Sequence, residues 1–170
     1  MNYNFLGKIL RLLLLMMAQI LVCNNIHLLG YASPLIIGYM IVAMRRDESR
    51  VSLLLWGFAT GFVYDMFSNT AGMASAGMTL LAMIQPSLAL SMSPHETEDE
   101  MRISVHEFGF WNYTMYVFFS MMILHTVYYF LDAFMLSDIK LTVLSSFVSS
   151  AIATVIVVCL DMMLSSERNK

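Results

Sequence analysis

Apolar residues fill this chain in six long runs, and most charged residues fall in the breaks between them. The runs fall at residues 5–23, 26–44, 51–67, 72–92, 110–134 and 141–164. A helix needs roughly 17–25 residues to cross the hydrocarbon layer of a membrane, and every run has that length. Barrel strands would be about 10 residues long and would alternate in polarity; these runs do neither. Lipid offers the backbone no hydrogen-bond partner, so helices that satisfy their own N–H and C=O groups are the expected form. The pattern predicts an all-α fold, a polytopic membrane bundle of six transmembrane helices in a single domain over residues 1–170.

Two runs are interrupted. The second carries Gly30 and Pro34, and its unbroken part, residues 34–44, is too short to cross alone. The pattern there predicts a short helix preceded by an interfacial or re-entrant piece. Pro86 falls inside the fourth run, where it kinks the helix or ends its regular part. The first run carries Lys8 and Arg11 near its start, which superficially resembles a leader peptide. No small-residue cleavage site follows, so it is read as a retained span whose basic side chains snorkel to the interface.

The breaks set the orientation. Residues 45–50 form a tight charged turn, 68–71 an uncharged turn, 93–109 a long acidic loop and 135–140 a short polar one. With the N-terminus inside, Lys8, Arg11, Arg45, Arg46, Arg50, Arg102, Arg168 and Lys170 share one side, and Lys140 alone lies on the other. Basic residues stay cytoplasmic, so both termini are expected in the cytoplasm. Composition agrees with a membrane protein: 59% of residues are hydrophobic and only 12% charged, against about 25% in soluble domains. The few basic residues form no stripe, so nothing points to nucleic-acid binding. Cys23 and Cys159 have neither redox nor metal-ligand spacing and are read as small apolar filler.

Helices in lipid associate through small residues and a few interhelical hydrogen bonds. Gly57 and Gly61 make a small-xxx-small pair on the third run. The fourth carries Gly72, Ala74, Ser75, Ala76, Gly77 and Thr79, and the sixth carries Ser146, Ser150 and Thr154 on one face. Two readings stand for these faces: packing within the bundle, or docking of another membrane protein, above all on the sixth helix.

Ionisable residues inside the membrane are costly and need partners. Asp65 lies about 21 Å along the third helix from Val51, at ~1.5 Å per residue, close to the turn at 68–71. Asn69, Thr70 and the backbone N–H groups at the start of the fourth helix are the available donors, so Asp65, Asn69, Thr70 and Gly72 form a candidate turn lock. A proton or ligand site at Asp65 is the rival reading. His125 and Asp132 share a face of the fifth helix. His125 is expected to be satisfied by a Thr or Tyr hydroxyl, and Asp132 to reach water. Asp161 is expected at the interface, and Phe110, Trp111, Tyr113 and Tyr116 in an aromatic belt. The acidic loop holds two His-Glu pairs, His95-Glu96 and His106-Glu107, which match no ligand spacing. No nucleophile elbow, phosphate cradle or zinc helix appears. No catalytic residue, cofactor or metal is predicted, and the chain is read as a non-enzyme.

The segment Gly57-Phe58-x-x-Gly61-Phe62-x-x-Asp65-x-Phe67-Ser68-Asn69-Thr70-x-Gly72-Met73 resembles the signature of the MreD family, the bacterial rod shape-determining membrane proteins. That family carries a Gly-Leu-x-x-Asp core with a later Gly; here Phe62 takes the place of the Leu. The extension from Phe67 to Met73 is similar to the Bacteroidetes branch. So are Gln19–Val22 before Asn24-Asn25-Ile26, the Gly30-Tyr31-Ala32 and Pro34 stretch, and Pro86 closing the fourth run. Ala74 departs from the bulkier polar residue expected there. The resemblance spans the chain in size and hydropathy and is sharp over roughly residues 53–86.

The resemblance implies a fold similar to the S-component of energy-coupling-factor transporters. It also implies a non-catalytic scaffold role in the inner-membrane complex that builds lateral peptidoglycan. The implied partners are a single-span MreC-like protein and, indirectly, RodA with its transpeptidase partner and the MreB filament. The S-component likeness also allows an alternative, a small-solute binding or transport subunit with Asp65, Asn69, His125 and Asp132 in its pocket.

Overall fold

A computed structural model describes residues 3–21, 33–45, 48–93, 103–133 and 139–168. Every described element is helical, and no strand occurs among the described residues. Helix α1 runs Tyr3–Leu21, a 3₁₀ turn Ile36–Gly38 leads into the short α2 at Tyr39–Val42, and α3 runs Arg50–Ser68. Then come α4 at Met73–Met92, the one-turn α5 at Val105–Phe108, α6 at Phe110–Ala133 and α7 at Ile139–Arg168.

Four of these are long and apolar enough to cross a membrane: α3, α4, α6 and the Ile139–Leu164 part of α7. Their burial pattern is inverted relative to a water-soluble domain. On α3, Val51, Leu55, Phe58, Phe62 and Met66 form an exposed stripe at helical spacing, while Thr60, Tyr64 and Asp65 are buried. On α7, Val143, Leu144, Phe147 and Val155 face outward, while Ser145, Ser146, Ser149, Ser150 and Thr154 are buried. Apolar surface outside and hydrogen-bonding groups inside is what a hydrocarbon solvent selects.

Local signals set the helix ends. Ser49 caps α3 by accepting the Ser52 N–H at 3.2 Å. At the other end Asn69 takes a left-handed conformation (φ 53°) and returns its N–H to the Asp65 carbonyl. Gly72 (φ 79°) then turns the chain into α4, a conformation that costs a side-chain-bearing residue energy. Pro86 does not end α4, which continues to Met92.

Close approach defines the packing order. A Cβ added to Gly61 would fall 2.5 Å from Ser75 Cα, and one on Gly57 would fall 2.8 Å from the Met78 carbonyl. Backbone therefore meets backbone between α3 and α4. Gly77 packs α4 against Leu124 of α6. The serine face of α7 packs on α6, where Ser146 Oγ lies 3.1 Å from Thr126 Oγ1 and Ser150 donates to the Met121 carbonyl at 3.3 Å.

The centre of the molecule is formed by residues 34–42, within the described part of the second run. Residues 22–32 lie outside the described residues, as do most of the acidic loop with its His95-Glu96 pair, and Cys23. From Ser33 to Leu35 the chain is not helical, then it makes the 3₁₀ turn and α2. Every residue from Pro34 to Val42 is buried. This stretch faces protein on all sides, whereas each long helix keeps an exposed apolar face.

Candidate functional site

The first polar site joins α3 to α4. Asp65 is buried on α3, and its two carboxylate oxygens accept four hydrogen bonds. Oδ1 takes the Thr70 hydroxyl at 2.5 Å and the Ala74 N–H at 3.0 Å. Oδ2 takes the Ser75 N–H at 2.9 Å and the Ser75 hydroxyl at 2.5 Å. The two N–H groups belong to the first turn of α4, where the helix has no internal acceptors and its dipole favours an anion. The Asp65 carbonyl also accepts from Thr70 N at 3.1 Å. Of the residues singled out around the turn, Thr70 reaches Asp65 through its side chain. Asn69 and Gly72 act through backbone geometry. Ser75, which supplies two of the four bonds, was not among them, although it stands ten residues on, where an antiparallel partner helix returns past Asp65.

The second polar site holds the broken segment. Non-helical backbone at membrane depth is tolerated only where protein satisfies it. Here three side chains do so. Gln19 of α1 donates its amide N–H to the Pro34 carbonyl at 3.0 Å and accepts the Ile36 N–H at 2.8 Å. His125 Nε2 of α6 accepts the Leu35 N–H at 3.0 Å. That bond leaves the ring proton on Nδ1, which donates to the Met121 carbonyl at 2.8 Å. Tyr129 Oη accepts the Ser33 N–H at 2.8 Å and pairs with Ser149 Oγ of α7 at 2.9 Å. The expected Thr or Tyr partner of His125 is thus replaced by backbone. The physical reason is the helix break: Leu35 has an N–H with no helical acceptor, and the imidazole supplies one.

At the opposite end of the bundle Asp161 is buried within the protein. Its Oδ1 accepts the Tyr39 hydroxyl at 2.9 Å and its Oδ2 the Val105 N–H at 3.0 Å. One carboxylate therefore ties α7 to α2 and to the start of α5, whose flanks Ile103 and Phe108 are also buried. The expected aromatic belt divides accordingly. Phe110 and Trp111 are exposed, whereas Tyr113 and Tyr116 are fully buried. At the same end Lys8 Nζ lies 2.8 Å from Glu48 Oε1 and 6.0 Å from the Trp56 ring centroid, so it is held by protein. Ser52 Oγ donates to the same Glu48 oxygen at 2.7 Å. Partial burial raises the Glu48 carboxyl, but the hydrogen bonds and charge of Lys8 and Ser52 outweigh it, so the group sits below its ordinary value of 4.5.

The structure gives Asp65 and His125, two of the candidate solute-site residues, separate partners. Asp65 is engaged with its own turn, and His125 with Leu35 and Met121. The small-residue faces at Gly57, Gly61, Ser146, Ser150 and Thr154 are turned inward. On the outer surface of the α3–α4 pair, Leu54, Phe58, Phe62, Ala76, Thr79 and Met83 line an open groove of about 560 Å³. Among the described residues no three His, Cys, Asp or Glu side chains gather where a metal ion could sit.

No family model, curated protein or solved structure matches the chain. Its class is what the fold defines: an all-helical membrane protein with at least four helices able to span the bilayer.

Proposed function

We propose that this chain is a non-catalytic scaffold subunit of the bacterial cell-wall elongation machinery, of MreD type. It crosses the cytoplasmic membrane six times with both termini inside. It binds a single-span MreC-like protein and, through it, RodA, its transpeptidase partner and the MreB filament, supporting lateral peptidoglycan synthesis and cell shape. The chemistry around Asp65 carries the reading. The residues on which the MreD resemblance rests, Gly57, Gly61, Asp65, Thr70 and Gly72, coincide with the packing and hydrogen bonding that join α3 to α4. The carboxylate spends its acceptor capacity on four internal donors. A motif used this way builds a rigid surface for other proteins and carries out no reaction.

Two experiments test the proposal. Tagged chain, solubilised in mild detergent from its own bacterium, should retrieve an MreC-like protein and RodA, and depletion should turn rods into spheres. Depletion that leaves cell width and wall insertion unchanged would remove the scaffold role. Reporter fusions at residues 1 and 170 should both give cytoplasmic signals; opposite compartments would remove the six-span topology. Gly61 and Ser150 are packed within the chain, so bulky changes there probe stability and not docking.

A further inference from the structure

The end of the bundle that holds Lys8 also carries a cation that the protein leaves unmatched. Lys8 is fixed by Glu48 at 2.8 Å and by the face of Trp56. Arg11 stands three residues further along α1, so the two side chains are neighbours on one side of the helix. By the helical rise it lies about 4.5 Å further from the helix start. Arg11 is half-buried, and among the described residues it makes neither an ion pair nor a hydrogen bond. Its guanidinium stays charged and presents five donors in a planar fork.

The charge around it is one-sided. Along α1 and the turn into α3, Glu48 is the one described anion before Asp65, against Lys8, Arg11, Arg45 and Arg50. Arg45 and Arg50 are exposed, and the Arg45 charge is felt at Glu48. With Glu48 taken by Lys8, the charges of Arg11, Arg45 and Arg50 remain. The acids at this end of the bundle are placed elsewhere. Asp161 is bound to Tyr39 and Val105, and α5, which carries Glu107, packs on α6 and α7. Next to the cations the surface is apolar: Leu10 and Leu14 of α1 and Val51 and Leu55 of α3 are all exposed.

We propose that Arg11 and the cations around Glu48 form a binding site for the phosphate of an anionic phospholipid, whose acyl chains lie on the exposed leucines of α1 and α3. Charge complementarity selects this guest. An excess of positive charge favours a headgroup with net negative charge over a zwitterionic one, and the guanidinium fork matches two phosphate oxygens. The adjoining apolar surface suits a phosphate that arrives attached to hydrocarbon. The site depends neither on the scaffold role nor on which leaflet this end of the bundle faces.

Native mass spectrometry tests this on the whole protein, released from micelles holding equal amounts of phosphatidylglycerol and phosphatidylcholine with matched chains. Phosphatidylglycerol should be retained about tenfold over phosphatidylcholine, and Arg11→Gln should lower that ratio to about twofold, as expected for one cation lost beside a headgroup. Lys140→Gln removes an exposed lysine at the start of α7 and should leave the ratio unchanged. Should Arg11→Gln not fold, Arg11→Lys keeps the charge without the fork and should lower the ratio at least about twofold. In thermal unfolding, phosphatidylglycerol should raise the midpoint and inorganic phosphate should not. Equal retention of the two lipids, a ratio untouched by the Arg11 variants or lowered as far by Lys140→Gln, or equal stabilisation by inorganic phosphate would each overturn the proposal.

Discussion

Asp65 and Ser75 are joined twice, the same carboxylate oxygen accepting both the Ser75 N–H at 2.9 Å and the Ser75 hydroxyl at 2.5 Å. The pair closes a loop of chain in which each member needs the other. A buried carboxyl group would be costly in the bundle without donors, and the first turn of α4 would carry orphan N–H groups without its oxygens.

Asp65→Asn should therefore destabilise the fold more than Ser75→Ala. Asparagine keeps one acceptor oxygen and points an NH₂ at donors, stranding at least one buried N–H. The expected cost is roughly 2–4 kcal/mol, against about 1 kcal/mol for the hydroxyl alone. Thermal unfolding in detergent, followed by tryptophan fluorescence, measures both. Equal midpoints for the two variants would show that the carboxylate is not what holds the turn.

Gly61→Ala tests the approach of α3 to α4. The new methyl meets backbone at 2.5 Å from Ser75 Cα, which cannot yield as a side-chain tip would. A loss of about 1–3 kcal/mol is expected from overpacking of this kind. Gly7→Ala, where nothing lies within 4 Å, is the matched control and should not lower stability. The midpoint difference between the two variants is the readout.

His125→Leu should loosen the broken segment selectively. It leaves the buried Leu35 N–H without an acceptor, worth about 1–3 kcal/mol. Hydrogen exchange at Leu35 should speed up, while amides in the middle of α3 keep their protection. Exchange that rises uniformly across all helices would instead place His125 in the general core.

The Lys8–Glu48 pair carries a pH dependence. The folded carboxyl lies below 4.5, its ordinary value, so its contribution is present above about pH 4.5 and fades as pH falls through the folded value. The pair is partly solvated, so the contribution is no more than about 1 kcal/mol. Wild type and Glu48→Gln should differ in unfolding midpoint at pH 7 and converge near pH 3. A gap that persists at pH 3 would assign the difference to packing of the side chain.

Much of the fold was legible along the chain. The runs at 51–67, 72–92, 110–134 and 141–164 mark α3, α4, α6 and α7 to within one or two residues at most ends; α7 alone continues further, to Arg168. Pro34 and Gly30 announced that the second run would not be a plain helix. What the pattern did not contain was the placement of that run at the centre. Hydropathy treats Ile36 and Leu55 alike, yet one is enclosed by protein and the other faces outward. The partners Gln19, His125 and Tyr129 lie 15, 90 and 96 residues from the groups they satisfy. No local rule links such distances. The partners of Asp161 were hidden for the same reason: Tyr39 and Val105, which fold over it, lie 122 and 56 residues away.

By itself, the sequence determined the solvent, the helical class and the long helices. Those follow from the cost of exposing polar backbone to lipid, which is paid residue by residue. Only the tertiary structure decided where each buried polar group would find its complement. Hydrogen bonds depend on distance and angle between atoms that the chain brings together from far apart.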